Sequence, residues 1–297
     1  MVRCRPGPGI SLSQAASLLL YQNNGAVCAD AEAAKLAAEK TPGADFMTYR
    51  KLKIWLAGIA AGALLIAGPA WCGPPFVTDD PEPVDYKHFE TYLAWEQTGN
   101  QSGRATTPLL EVNYGAAPDL QLSVTLPYAY NSPTGLPQQQ GMGDMVFGAK
   151  YRFQQETDSR PMAAVYPVVV AASGNAGKGL GNGGTQIFLP VWLQKSWGDW
   201  HSYGGGGYWI NRAQGVGSHW YFGWALLKDV TERLTLGGEA FHATDQKPVD
   251  NSSNGFNLGA IYKLDEHNRL LFSAGRSVVE ISSQSTYSLY AAYSLTG

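Results

Sequence analysis

Five histidines, three cysteines and scattered carboxylates are the residues of this 297-residue chain that could carry chemistry. Nucleophilic catalysis needs a serine or cysteine within reach of a histidine that a third group orients. The histidines are His88, His201, His219, His242 and His267. Ser218 adjoins His219, but neighbours along a strand face opposite ways. No serine motif flanks His219 or His242, so both read as rim histidines. The run Gly174-Asn-Ala-Gly-Lys-Gly179 is too short for a phosphate loop, and Lys178 is followed by Gly179 rather than Ser or Thr. Asp265-Glu-His267 reads as a polar tight turn before it reads as a metal site. Cys4, Cys28 and Cys72 all precede Gly73, so beyond that point no disulfide or cysteine metal site can form. No cofactor or metal is implied, and the chain does not read as an enzyme.

The elements that position these residues are strands. From His88 to Leu295 the sequence reads as about twelve, joined by connections that alternate between long and short. The short set is Gly115–Asp119, Gln154–Arg160, Ser196–Asp199, Asp229–Glu232 and Asp265–Asn268. The long set is Gln97–Arg104, Asn131–Met142, Ala172–Gly183, Arg212–Gly217, Ala243–Ser253 and Ser277–Ser283. Transmembrane barrels show this rhythm, with an even strand number, tight periplasmic turns and longer external loops. Spanning strands need about 9–11 residues with lipid-facing and lumen-facing side chains alternating. Trp220, Phe222, Trp224 and Leu226 oppose His219, Tyr221 and Gly223; Ile187, Leu189, Val191 and Leu193 oppose Gln186, Phe188, Pro190 and Trp192. Two strands are harder to phase. Met162–Ala171 is apolar throughout, and His201–Asn211 contains Gly204-Gly-Gly-Gly207.

Composition agrees. The chain is 12% aromatic and only 15% charged, with 35 glycines, which suits an all-β chain. The formal net charge of −3, with no basic stripe, argues against nucleic acid as a partner. The expected fold class is an all-β, transmembrane, antiparallel up-and-down β-barrel of about twelve strands, preceded by a signal-peptide helix. An open sheet edge in lipid would leave backbone groups unpaired, so closure follows. Outer-membrane lipid, a small-molecule solute and the barrel-assembly machinery are the expected partners.

Met47-Thr-Tyr-Arg-Lys-Leu-Lys supplies a basic start and Ile54–Ala67 an apolar run, which together read as a secretory signal peptide. The expected organisation is 1–46 as an upstream extension, 47–72 as the signal peptide, 73–86 as an acidic Pro-rich segment and 87–297 as the barrel. Export to the bacterial outer membrane follows from that leader.

Alternation aims Lys150, Arg152, Lys263 and Arg269 inward near the inner mouth, as a basic collar. The segment before the barrel carries Asp79, Asp80, Glu82 and Asp85. It can fold into the mouth as a plug, because opposite charges attract strongly in a low-dielectric lumen. The reading set against the plug, and preferred to it, is a free periplasmic tail, with Glu90 and Glu111 balancing the collar. Phe188, Trp192, Tyr221 and Phe241 also point inward, joined by Tyr203 and Trp209 if the seventh strand is phased that way. Those rings are either a slippery wall for a small apolar or aromatic solute, with Gln186, Asn257 and Glu239 orienting it, or filler in a narrow barrel.

Two stretches carry a family likeness. Pro74-Pro-Phe-Val-Thr-Asp-Asp-Pro-Glu-Pro-Val-Asp-Tyr-Lys-His-Phe-Glu90 and Gly141-Met-Gly-Asp-Met-Val-Phe-Gly-Ala-Lys-Tyr-Arg-Phe153 resemble an outer-membrane β-barrel family named for the meta-pathway of phenol degradation. The resemblance extends in pattern from about Pro74 to the C-terminus. It implies an outer-membrane barrel passing small hydrophobic or aromatic compounds by passive diffusion. The chain departs from the usual barrel ending, since it closes with Ser-Leu-Thr-Gly297 and its last aromatic is Tyr293. Two other readings stand beside the channel: a structural or surface-binding barrel acting through its loops, and a lipid-active barrel enzyme.

Overall fold

The computed structural model describes residues 75–212, 217–244, 252–279 and 285–297. The upstream extension and the signal peptide therefore lie outside the described residues. The rest is a closed antiparallel barrel of 12 strands. In chain order these are β1 (Phe89–Asn100), β2 (Gly103–Ala117), β3 (Leu120–Pro133), β4 in two pieces (Gln139–Met142 and Val146–Gln154) and β5 in two pieces (Met162–Val165 and Val168–Val170). They continue as β6 (Gln186–Trp197), β7 (Trp200–Asn211), β8 (His219–Asp229), β9 (Leu234–Ala243), β10 (Ser253–Lys263), β11 (Asn268–Val279) and β12 (Ser285–Thr296). Each strand pairs with its sequence neighbours, and β12 closes on β1 with Tyr293 opposite Leu93.

The register follows from the period-2 pattern, because a one-residue slip would turn every apolar side chain to the wrong face. On β8, His219, Tyr221, Ala225 and Leu227 are buried while Trp220, Phe222, Trp224 and Leu226 are exposed. The same division runs round the barrel, through Leu189, Val191 and Leu193 on β6 and Phe256 and Leu258 on β10. The exposed set is an apolar band of the kind a bilayer covers. The seventh strand is phased with His201, Tyr203 and Trp209 inward. A run of glycines on β7 lets bulky neighbours lie across it: a Cβ at Gly204 would meet the Trp224 ring.

One expected loop is absent. The sequence reads Gln97–Arg104 as a long connection, but β1 runs to Asn100 and β2 begins at Gly103, leaving a tight turn. Polar Gln97, Thr98 and Asn100 look like loop residues in sequence. In the barrel they continue the β1 ladder, Gln97 opposite Thr106 and Thr98 opposite Ala105.

Candidate functional site: the lumen and its N-terminal segment

The chain enters the barrel from the end that carries the short turns. Tyr86 bridges Gly115 at the end of β2, and Lys87 takes a left-handed φ of 68° as the chain reverses into β1. Upstream of that reversal, Pro75–Val84 runs inside the lumen. Its backbone, which has no strand partner there, is satisfied by side chains of the wall. The Glu239 carboxylate accepts the N–H groups of Val77 and Thr78, each at 2.8 Å. Gln121 Oε1 accepts from Val84 N–H at 2.9 Å. Ser273 Oγ donates to the Pro75 carbonyl at 2.6 Å. Asn257 Nδ2 donates to Glu239 and holds its carboxylate in place. Such accounting is obligatory, since a buried unpaired backbone group costs as much as a lost hydrogen bond.

Charge adds a second set of ties. Lys150 Nζ lies 3.0 Å from Asp79 and 3.5 Å from Asp80, and Arg152 lies 4.0 Å from Glu82 and 2.6 Å from Asp119. Asp80 is 0% exposed, and burial pushes its carboxyl well above the usual range despite Lys150. Burial likewise raises Glu82 to about 7 against the opposing pull of Arg152 and Lys150. Asp85 is exposed at the mouth. Of the other collar residues, Arg269 sits 3.9 Å from Glu90. Lys263 lies on the inward side near the end of β10 and makes no ion pair among the described residues. Lys150 thus faces carboxylates of the N-terminal segment, Arg152 is held mainly by Asp119 of the β2–β3 turn with Glu82 farther off, and Arg269 faces the wall.

The aromatic residues form one packed group. Phe188 stacks on Trp209 with centroids 4.6 Å apart and planes 8° apart. Trp192 and Tyr221 meet Phe188 edge-on at 6.3 and 6.2 Å, and Phe241 follows Tyr221 at 6.2 Å. Val77 of the N-terminal segment packs into this cluster. Phe76 packs into a second one with Tyr92, Tyr203, Leu227 and Tyr290. Successive residues of one strap therefore serve two apolar layers.

Beside the strap remains a cavity of about 110 Å³. Phe188, Trp192, Trp209 and Tyr166 form its apolar side. Its polar side carries the carboxylates of Asp79, Asp80, Glu82, Glu90, Glu96 and Glu111 against the single ammonium of Lys150. The arrangement has one apolar aromatic flank and one acidic flank. It suits a small neutral or cationic solute and disfavours an anion.

Two features escaped the sequence reading. Ser196 Oγ lies 3.0 Å from His201 Nδ1, whose Nε2 lies 3.2 Å from Asp229. The three residues come from the ends of β6, β7 and β8, so no local motif announces them. The backbone N–H of Ser196 is bound to Glu156, which removes the nearest donor for an oxyanion. Asp229 also accepts from Thr235. The network therefore ties strand ends together. At the other end, Asp144 accepts the N–H groups of Gly174 (2.7 Å) and Asn182 (2.6 Å), pinning both ends of the β5–β6 loop. Asn131 Nδ2 holds the Gly179 carbonyl of that loop, and Leu180 is buried beneath it. The Gly-Asp pair 143–144 was visible as a motif, but its loop partner was not.

No family model matches the chain, and no curated protein matches it. Solved structures do. An outer membrane channel from Pseudomonas putida F1 matches with a TM-score of 0.63 at 14% identity, covering 73% of this chain and 98% of that one. The translocator domain of the autotransporter NalP from Neisseria meningitidis gives 0.49 at 10% identity, covering 71% and 89%. The KdgM porin in complex with disordered oligogalacturonate gives 0.47 at 12% identity, covering 68% and 98%. At this identity the likeness concerns the fold: the chain has the architecture of an outer-membrane barrel.

Proposed function

We propose that this protein is an outer-membrane channel through which small, mainly hydrophobic or aromatic molecules diffuse passively, with the N-terminal segment narrowing the bore. The observation that carries the reading is the lumen cavity, walled on one side by Phe188, Trp192, Trp209 and Tyr166. A cavity of ~150 Å³ lined by apolar side chains is enough to hold benzene, so this one is of the right order for a compact ring. The indole N–H groups of Trp192 and Trp209 are buried without a partner among the described residues. A hydroxylated ring would offer them an acceptor oxygen, and buried donors of this kind call for one. The solved barrel from Pseudomonas putida F1, described as a channel, supports the same reading.

The test is flux into liposomes carrying the refolded protein from Gly73 onward. A neutral phenol, an aromatic carboxylate and a sugar of similar size are compared. Phenol passing ahead of both others supports the reading, because the acidic flank repels the carboxylate and the aromatic flank disfavours the sugar. Equal passage of all three removes the aromatic specificity. No passage of any, in protein shown to be folded, removes the channel.

A further inference from the structure

The lumen cavity is bordered by two sets of buried polar atoms that no described residue satisfies, and the two sets are of opposite kinds. On the aromatic side they are donors, the indole N–H groups of Trp192 and Trp209. On the acidic side they are acceptors. Glu111 and Asn113 are two apart on β2, so both face the lumen. Asn113 Nδ2 donates to Glu111 Oε1 at 3.1 Å. A carboxylate there can only accept, which fixes the amide with its Oδ1 as the remaining group. That Oδ1 has no donor, although Asn113 is 3% exposed and borders the cavity. Asp80 Oδ2, on a wholly buried side chain, has no partner either. Burial raises the Asp80 carboxyl well above its ordinary range, so a bound cation there takes the place of a proton.

Charge on the acidic side is uneven. Asp79 and Asp80 share Lys150, and Glu82 and Glu90 have Arg152 and Arg269 at 4.0 and 3.9 Å. Glu111 makes no ion pair among the described residues. Lys150 shows how this cavity treats an ammonium: its Nζ lies 3.0 Å from Asp79 and 5.1 Å from the centroid of the Tyr166 ring. A cation over an aromatic face is attracted by the ring quadrupole, more strongly where water is excluded. Among the described residues no three His, Cys, Asp or Glu side chains are grouped to hold a metal ion. The flank therefore suits an organic cation.

We propose that the solute of this cavity is a hydroxylated arylalkylamine, with its ammonium against Glu111 and Asn113 Oδ1 and its phenolic oxygen accepting from an indole N–H of the aromatic side. An ammonium brings three N–H donors and no acceptor, which matches a wall whose unmet groups are all acceptors. A neutral phenol meets only the indole end, and a carboxylate is repelled at the other. This rests on the channel reading above and names the class of solute.

The test is isothermal titration calorimetry on the full chain, purified from cells producing it and shown to be folded. Tyramine is compared with para-ethylphenol, which lacks the amine, with phenethylamine, which lacks the hydroxyl, and with para-hydroxyphenylpropionate, which carries an anion instead. Tyramine is expected to bind about tenfold or more tighter than either half-match, the scale of one hydrogen bond to a charged group. The propionate is expected not to bind. Glu111→Gln is expected to bring tyramine down to the affinity of para-ethylphenol and to leave para-ethylphenol unchanged.

Tyramine binding no better than para-ethylphenol in the parent, a comparison that needs no variant to fold, overturns the arylalkylamine assignment. Tyramine binding that Glu111→Gln leaves intact overturns it as well. In either case the channel reading stands if phenol still crosses into liposomes, and falls too if phenol does not.

Discussion

Gly223 of β8 and Thr78 of the N-terminal segment share one space: a Cβ on Gly223 would overlap the Thr78 hydroxyl. Gly115 stands in the same relation to the Asp85 carbonyl, and Gly259 touches the Phe76 ring. Three lumen-facing glycines on three strands thus leave clearance for one strap. Gly223→Ala is expected to drive the strap out. Overpacking costs about 1–3 kcal/mol, which weakens seating roughly tenfold. Single-channel conductance should rise, and thermolysin should cut the Phe76–Val77 bond, buried in the parent, faster than in the parent. Unaltered conductance and cleavage in a folded barrel would show that the strap does not depend on this fit.

Glu239 is the principal anchor, and it acts on backbone rather than on a side chain. Glu239→Ala removes the acceptor for two buried N–H groups, and hydrogen bonds to charged groups are worth about 1.5–3 kcal/mol each. The variant should release the strap more completely than Lys150→Met, which leaves the backbone ties intact. The order of conductances, Glu239→Ala above Lys150→Met above parent, is the measurable outcome. The reverse order would make the ion pairs dominant.

Seating of the strap should weaken as pH rises. Glu82 goes from its ordinary 4.5 to about 7 when buried, with Arg152, Lys150, Asp85 and Glu156 around it, and Asp80 is raised as well. The seated state therefore holds protons that the released state loses. Its advantage is full below about 4.5 and is lost as pH climbs through about 7. Conductance should increase over that window, and Glu82→Gln should flatten the rise. A conductance that falls with rising pH would contradict the assignment.

Asp144 closes the opposite end. Its carboxylate holds Gly174 and Asn182 together, with Gly174 and Gly181 pressed against it. Asp144→Ala should release the β5–β6 loop. Trypsin should then cut after Lys178, which is exposed but sits in the short 3-10 turn Ala176–Lys178. Cleavage at the parent rate would show that Asn131 and Leu180 suffice to hold the loop.

How much of this was legible in sequence depends on the reach of each interaction. Period-2 alternation assigned the faces of β6, β8 and β10 correctly, because a strand's two sides are set by neighbouring residues alone. The inward direction of Phe188, Trp192, Tyr221, Phe241, Lys150 and Arg152 followed from it. Alternation fails where the pattern is blank: β5 is uniformly apolar and β7 is interrupted by glycines. There only packing chose, by placing Tyr203 and Trp209 in the lumen. The same limit hid the tight turn after Asn100, since its polar residues look like loop until β2 pairs with them.

The sequence by itself determined a chain of alternating strands, about how many, the two faces of those strands whose pattern alternates clearly, and an acidic Pro-rich segment ahead of them. Only the tertiary structure decided where that strap goes. Glu239 meets Val77 across a separation of 162 residues, and Ser273 meets Pro75 across 198. No local spacing encodes such a meeting. It arises because closing the barrel brings distant strands round one narrow lumen, where every buried N–H and carboxylate must find a partner.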